Sequence, residues 1–269
     1  MPSYAVTGAA RGLGYALLTR LSADPNNTVI GIVRNVKAAE ELVAKDLPDR
    51  KNIHLVHGDL TDYASLKSAA DAVASITGGS LDVLIANAAL VAGDFLAIND
   101  PKQDWEAFDN LSLESFKINA LGNIHLFSHF VPLIQKGNLK KVVALSTGQA
   151  DIDFINESGM LIQAPYSMSK IALNLAVAKY HVQYASEGIL FMAISPGLVD
   201  TGLPPDVDPE EFMRQLPVMM NAMAKYAPNS KFPISPEESS NYVVDVIDKA
   251  TIEKNGGIMV SHWGNKRWL

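Results

Sequence analysis

Seven short apolar runs, each separated from the next by a longer stretch, constrain this 269-residue chain more than any other feature. YAVTG at 4–8, TVIGIV at 28–33, IHLVHG at 53–58, LDVLIAN at 81–87, KVVALS at 141–146, ILFMAIS at 189–195 and GIMVS at 257–261 read as strands. Several are apolar at consecutive positions, the pattern of strands covered on both faces. Helices are expected between them, near 12–23, 36–46, 62–77, 112–136, 166–187 and 236–250. This alternation predicts an α/β fold, a doubly wound parallel sheet flanked by helices. It runs almost from end to end without a linker, low-complexity tract or repeat, so residues 1–269 read as one domain. Residues 201–235 break the rhythm: they are proline-punctuated and methionine-rich, with one helix expected at 209–225. Phe212, Met213, Met219, Met220 and Met223 there suit either a mobile lid over an apolar substrate or a plain core helix.

A hydrophobic content of 48% is enough for a sizeable core. The net charge of −7 argues against a broad nucleic-acid or anionic-membrane surface, while leaving room for a local basic pocket. With no cysteine, disulfides, thiolate metal sites and cysteine nucleophiles are excluded, which fits a reducing compartment. The N-terminus has no basic region followed by a long apolar segment, and no apolar run approaches the roughly 18 residues of a membrane span. A cytoplasmic protein is the expectation.

Two stretches carry chemistry. TGAARGLG at 7–14 follows the first strand and opens the first helix. Its glycines, Gly8, Gly12 and Gly14, let the backbone turn tightly and approach a pyrophosphate, whose charge a helix N-terminus favours. The second strand ends in Val33, where a carboxylate would accept a ribose 2′-hydroxyl, and Arg34 follows. With Arg11 in the loop, two guanidinium groups are available to hold a 2′-phosphate, which favours NADP(H) over NAD(H). In APYSMSK at 164–170, Tyr166 and Lys170 share one helix face, about 6 Å apart along the axis. Read alone, the pair is either a solvated accident or a general acid–base. In the second case the phenol's ordinary pKa of about 10 is lowered by the ammonium.

The glycine loop, NAA after the fourth strand and YxxxK after the fifth together resemble the short-chain dehydrogenase/reductase family, over nearly the whole chain. The resemblance implies a Rossmann fold and makes Tyr166 the acid–base, with Lys170 tuning it and holding the nicotinamide ribose. It implies cofactor contacts from Gly8, Arg11, Gly12, Leu13, Gly14 and Arg34. Asp59 and Leu60 of GDLTD would stand beside the adenine, and Asn87 and Ala88 of ANAA near the cofactor; Ala86 and Ala89 depart from the family's Asn and Gly. Asn119 of KINALG would hold a water in a proton relay with Lys170. Pro196, Gly197 and Val199 of SPGLVDT would flank the nicotinamide, and Thr201 would reach its carboxamide. The substrate-orienting serine falls at Thr147, with Ser146 before it as the alternative. Tyr166 stands nineteen positions after Thr147, a longer spacing than is common in the family. The extra length at 151–163 reads as a loop over the substrate, one of three substrate-wall loops with 91–110 and 201–235.

VRN, ANAA and YSMSK also resemble fungal ketoreductases of polyketide pathways and sniffer-type carbonyl reductases. That implies NADPH-dependent reduction of a bulky, mostly apolar ketone or aldehyde, or the reverse oxidation of an alcohol. A cofactor-binding sensor or scaffold without turnover is one alternative, and an isomerase or dehydratase on the same fold is another. The family pairs the helices near 112–136 and 166–187 across an interface, so a homodimer or homotetramer is implied. His125 and His129 have zinc-binding spacing but no third ligand, and read as packing or surface; no metal is expected. The carboxylates from Asp94 to Asp109 read as a solvated loop, and Ser167 and Ser169 as incidental neighbours of Tyr166.

Overall fold

The computed structural model describes residues 1–91, 96–203, 209–230 and 233–269. Seven parallel strands form one sheet: β1 (Ser3–Thr7), β2 (Thr28–Val33), β3 (Ile53–His57), β4 (Val83–Ala86), β5 (Lys141–Leu145), β6 (Leu190–Ser195) and β7 (Met259–Ser261). Their spatial order is β3-β2-β1-β4-β5-β6-β7, so the winding reverses between β1 and β4. The helices are α1 (Gly12–Leu21), α2 (Val36–Asp46), α3 (Tyr63–Thr77), α4 (Trp105–Phe116), α5 (Gly122–Ile134), α6 (Ile152–Ser158), α7 (Ala164–Tyr184), α8 (Pro209–Tyr226), α9 (Pro236–Lys249) and α10 (Ile252–Asn255).

Both faces of the central sheet are covered, which is why strands such as β4 and β6 are buried at every position, whereas edge strand β3 exposes His54 and His57. Leu84 and Ala86 of β4 pack with Leu66 and Val73 of α3, Phe127 and Phe130 of α5, and Leu173 and Val177 of α7. Val83 and Ile85, pointing the other way, join Leu17 of α1, Ala39 of α2, and Val243 and Ile247 of α9. Each large side chain enclosed in this way contributes about 1.5–3 kcal/mol relative to leaving it in water. A third cluster lies apart from these two, and joins Phe154 and Met160 to Met219 and Met223 of α8 and to Trp268.

Three readings of the sequence change. The helix expected at 112–136 begins at Trp105 and is two helices joined by a π-helical turn at Lys117–Leu121. Asp104 starts it by accepting from the Glu106 and Ala107 N–H groups, so one of the supposed loop carboxylates is a helix cap. The expected loop at 151–163 contains α6, capped by Asp151 through the Phe154 N–H and ended by Gly159 in the left-handed region. Asp94, and residues 204–208 and 231–232 of the lid segment, lie outside the described residues. Among the described residues no helix is long and apolar enough to cross a membrane.

Candidate active site

The carboxyl ends of β1 and β4 meet where the strand order reverses, the place where such sheets hold ligands. Thr7 ends β1 with its side chain buried. Its hydroxyl oxygen accepts from the Asn87 and Ala88 N–H groups, both at 3.0 Å. Asn87 Nδ2 donates back to the Thr7 carbonyl at 2.8 Å. The glycine loop is thereby tied to the exit of β4. Gly14 is required by contact, since a Cβ there would run into the Gly8 carbonyl oxygen and push α1 off the loop. Leu13 turns its side chain into the core and leaves its backbone for a ligand. α2, α3, α4 and α9 are capped by Asn35, Asp62, Asp104 and Ser235, whereas no side chain caps α1. Its first N–H groups are left for an anion, so the cradle fits a dinucleotide's pyrophosphate.

Arg11 and Arg34 are exposed near this loop, and neither makes a salt bridge among the described residues. Burial works against the Asp59 carboxylate, yet the Thr61 N–H and hydroxyl, both at 2.8 Å, and the Arg34 charge hold it below the ordinary range. Leu60 is buried beside Gly122 of α5.

The two candidate hydroxyls follow β5. Ser146 is buried and its Oγ is enclosed without a hydrogen-bond partner. Thr147 is half-buried; its Oγ1 accepts from the Gln149 N–H at 3.2 Å and keeps a proton to give. Tyr166 lies in the first turn of α7, partly accessible. Lys170, one turn on, is 2% exposed. Its Nζ donates to the Leu145 carbonyl at 2.7 Å and stands 5.9 Å from the centre of the Tyr166 ring.

Burial pushes the Tyr166 phenol up to about 12 and the Lys170 ammonium down to about 7. Burial thus works against the charged form of both groups.

Asn119 sits in the π-helical turn. Its Oδ1 accepts from the Leu90 N–H, and its Nδ2 donates to the Leu90 carbonyl and to Ser169 Oγ, all within 2.8–2.9 Å. Ser169 Oγ in turn donates to the Tyr166 carbonyl at 2.7 Å. The side chain thus ties the segment after β4 to α7 and makes no bond to Lys170.

After β6 the chain turns at Pro196, whose carbonyl accepts from Ser239 Oγ at 2.8 Å. Gly197 has φ +87, a left-handed conformation that glycine adopts without strain. Val199 bridges to Ile234, and Thr201 comes over the glycine loop, close enough to touch a Cβ added at Gly12. On the opposite rim, α6, α8 and the tail meet in the third cluster. The Phe154 ring lies edge-on to Tyr226 at 4.8 Å, and Trp268 packs on the bare face of Gly148, next to Thr147. Met219 and Met223 face inward while Met213 is exposed, so α8 is packed along one side.

Sequence reasoning missed Thr7, Leu90, Gln149, Gln163 and Trp268, and set Ser169 aside. Thr7 and Ser169 stand inside the quoted motifs and were in reach. Nothing local connects Trp268 to Gly148, 120 positions earlier. His125 and His129 pack on the Tyr63 ring, at 5.2 and 4.4 Å between ring centres. No group of three or more metal-ligating side chains occurs among the described residues.

A parallel sheet wound in both directions from β1 and β4, with a glycine turn and an uncapped helix at the reversal, defines a Rossmann-like α/β protein. Residues 3–211 match the short chain dehydrogenase family. The chain is 47% identical over 276 residues to the short chain dehydrogenase virK of Hypocrea virens, covering 100% of both proteins. Its fold is similar to that of the NADPH bound carbonyl reductase from chicken fatty liver, with a TM-score of 0.76 at 23% identity and 98% of each chain covered. The carbonyl reductase Sniffer of D. melanogaster gives the same values. This chain belongs to the short-chain dehydrogenase family, whose members are oxidoreductases that use a nicotinamide cofactor.

Proposed function

We propose that the protein is a cytoplasmic, NADP(H)-dependent carbonyl reductase acting on a bulky, mostly apolar ketone or aldehyde, or the corresponding alcohol dehydrogenase in reverse. One observation carries this reading. An uncapped helix N-terminus, an available Thr147 hydroxyl and the pair of partly accessible Tyr166 and buried Lys170 stand after the carboxyl ends of β1 and β5. NADP(H), when bound, supplies or accepts the hydride. Gly8, Gly12, Leu13 and Gly14 would hold its pyrophosphate and Arg11 and Arg34 its 2′-phosphate. Asp59, Leu60, Asn87 and Ala88 would line the adenosine side, and Pro196, Gly197, Val199 and Thr201 the nicotinamide side.

The chain's own residues then handle one oxygen and one proton. Thr147 donates a hydrogen bond to the substrate oxygen, a role its half-exposed hydroxyl supports better than the enclosed Ser146 hydroxyl, which remains the alternative. Tyr166 keeps its proton until negative charge builds on that oxygen, and then gives it up. Lys170 stabilises the phenolate left behind, because a neighbouring anion restores the ammonium that burial disfavours. Asn119 and Ser169 hold the α7 end of this arrangement in place.

NADPH absorbance followed with a panel of ketones tests the reading. Turnover should fall roughly 10²–10⁴-fold in Tyr166→Phe without loss of fold. Binding without oxidation would identify a sensor, and product without net cofactor change an isomerase or dehydratase. Self-association belongs to the same proposal. Leu113 and Phe116 of α4 and Ile171, Leu175 and Val182 of α7 are exposed, an apolar stripe that a second copy would cover. Sedimentation should give a dimer or tetramer, and Leu175→Lys should weaken it; a monomeric wild-type protein would reject this part.

A further inference from the structure

Gln163 has φ +62 and ψ +39, a left-handed conformation that residues other than glycine rarely adopt, and it stands three positions before Tyr166. Only Lys140 shares a positive φ among the described non-glycine residues. Strained backbone of this kind persists where its surroundings over-determine it, and it concentrates at ligand sites. The surroundings here are a closed set of polar bonds. Gln149 Nε2 donates to Gln163 Oε1 at 2.9 Å. Ser167 Oγ lies 3.2 Å from Gln149 Oε1 and 2.9 Å from the Gln163 carbonyl. The Gln149 N–H donates to Thr147 Oγ1. The two glutamines therefore join the Thr147 turn to the first turn of α7.

Gln163 keeps only 7% of its surface, and its side-chain oxygen is occupied. Its Nε2 has no hydrogen-bond partner among the described residues. A buried amide whose oxygen is fixed and whose nitrogen is free is an oriented donor awaiting an acceptor.

We propose that Gln163 Nε2, aimed by Gln149, donates a hydrogen bond to a second oxygen of the substrate, one separate from the reacting carbonyl. The substrate class becomes ketones that carry an ester, carbonyl or hydroxyl oxygen a few bonds from the carbonyl. This rests on the carbonyl-reductase reading and adds to it a residue that selects among ketones. A site built to hydrogen-bond an oxygen discriminates strongly against the analogue lacking it, because the donor is otherwise left unpaired.

The experiment compares ethyl 3-oxohexanoate with nonan-4-one, which has the same chain length without the ester oxygens, using NADPH and wild-type, Gln163→Gly and Gln149→Ala proteins. Gln163→Gly removes the amide while relieving the strained φ, so the fold should hold and a thermal melt checks that it does. Wild type should prefer the oxo-ester about tenfold or more in kcat/KM. Gln163→Gly should lose that preference, mainly through KM for the oxo-ester, with a clearly smaller loss on nonan-4-one. Gln149→Ala should lose part of it. Equal losses on both ketones would reduce Gln163 to a positioning residue, and an unchanged preference would remove it from the site; either overturns the proposal. If wild type reduces nonan-4-one but shows no preference, the proposal fails while the carbonyl-reductase reading stands. If wild type reduces neither these nor any ketone of the wider panel, the underlying reading fails and this inference falls with it.

Discussion

The two sides of the candidate site, here its nucleotide and substrate rims under the proposed function, are held by different forces. On the nucleotide rim, Thr7, Asn87 and Asn119 fix backbone groups by short, directed bonds, three of them made by the Thr7 hydroxyl and carbonyl. On the substrate rim, Phe154, Met160, Met219, Met223 and Trp268 hold α6, α8 and the tail by apolar contact. A directed bond needs one residue type at one spacing, whereas packing needs volume and tolerates exchange. A side held by directed bonds is rigid, whereas one held by methionine and aromatic packing can be re-shaped without disturbing the other.

Arg34→Ala offers the largest break on the nucleotide rim. Losing a hydrogen bond to a charged phosphate, worth about 1.5–3 kcal/mol, should raise KM for NADPH roughly 10–100-fold and leave KM for NADH nearly unchanged. A shift of both together would show that Arg34 does not read the 2′-phosphate. Thr7→Ala should cost about 1–3 kcal/mol in urea unfolding, because the Ala88 N–H loses its acceptor and the Asn87 N–H keeps only the Ile85 carbonyl. Thr7→Ser should restore most of it.

Lys170 probes the enclosure between the rims through pH. Burial lowers it from 10.5 to about 7. Between those values the unfolded chain binds a proton that the folded chain releases, so this group makes stability rise with pH. Tyr166, raised from 10.0 to about 12, acts only above pH 10. Stability of wild type relative to Lys170→Met should therefore move in favour of wild type from pH 7 to pH 10, and a flat difference would mean that the lysine is hydrated. The smallest effect is expected on the substrate rim, where Met223→Leu should cost less than about 1.5 kcal/mol. Were it to cost more than Thr7→Ala, the contrast between the rims would be wrong.

Legibility followed the same division. Glycine loop, Asn87, Tyr166 and Lys170 were readable because their chemistry depends on spacings within a few residues of one turn or helix. The break at Lys117–Leu121 was hidden because an apolar pattern runs through a π-helical turn without interruption. α6 went unread because seven residues make no persistent period, although Asp151 and Gly159 mark both its ends. Gln149 with Gln163, and Gly148 with Trp268, are pairs that only folding brings together.

From the residues alone came the alternating architecture, a glycine turn suited to a pyrophosphate, and the pairing of a phenol with an amine one helical turn away. All of these depend on local period and composition. Which hydroxyl is enclosed, which amide is left without a partner, and how strongly burial opposes charge on the phenol and the amine were decided by tertiary structure. Those outcomes turn on how much water each group keeps, and that is set by side chains arriving from distant parts of the chain.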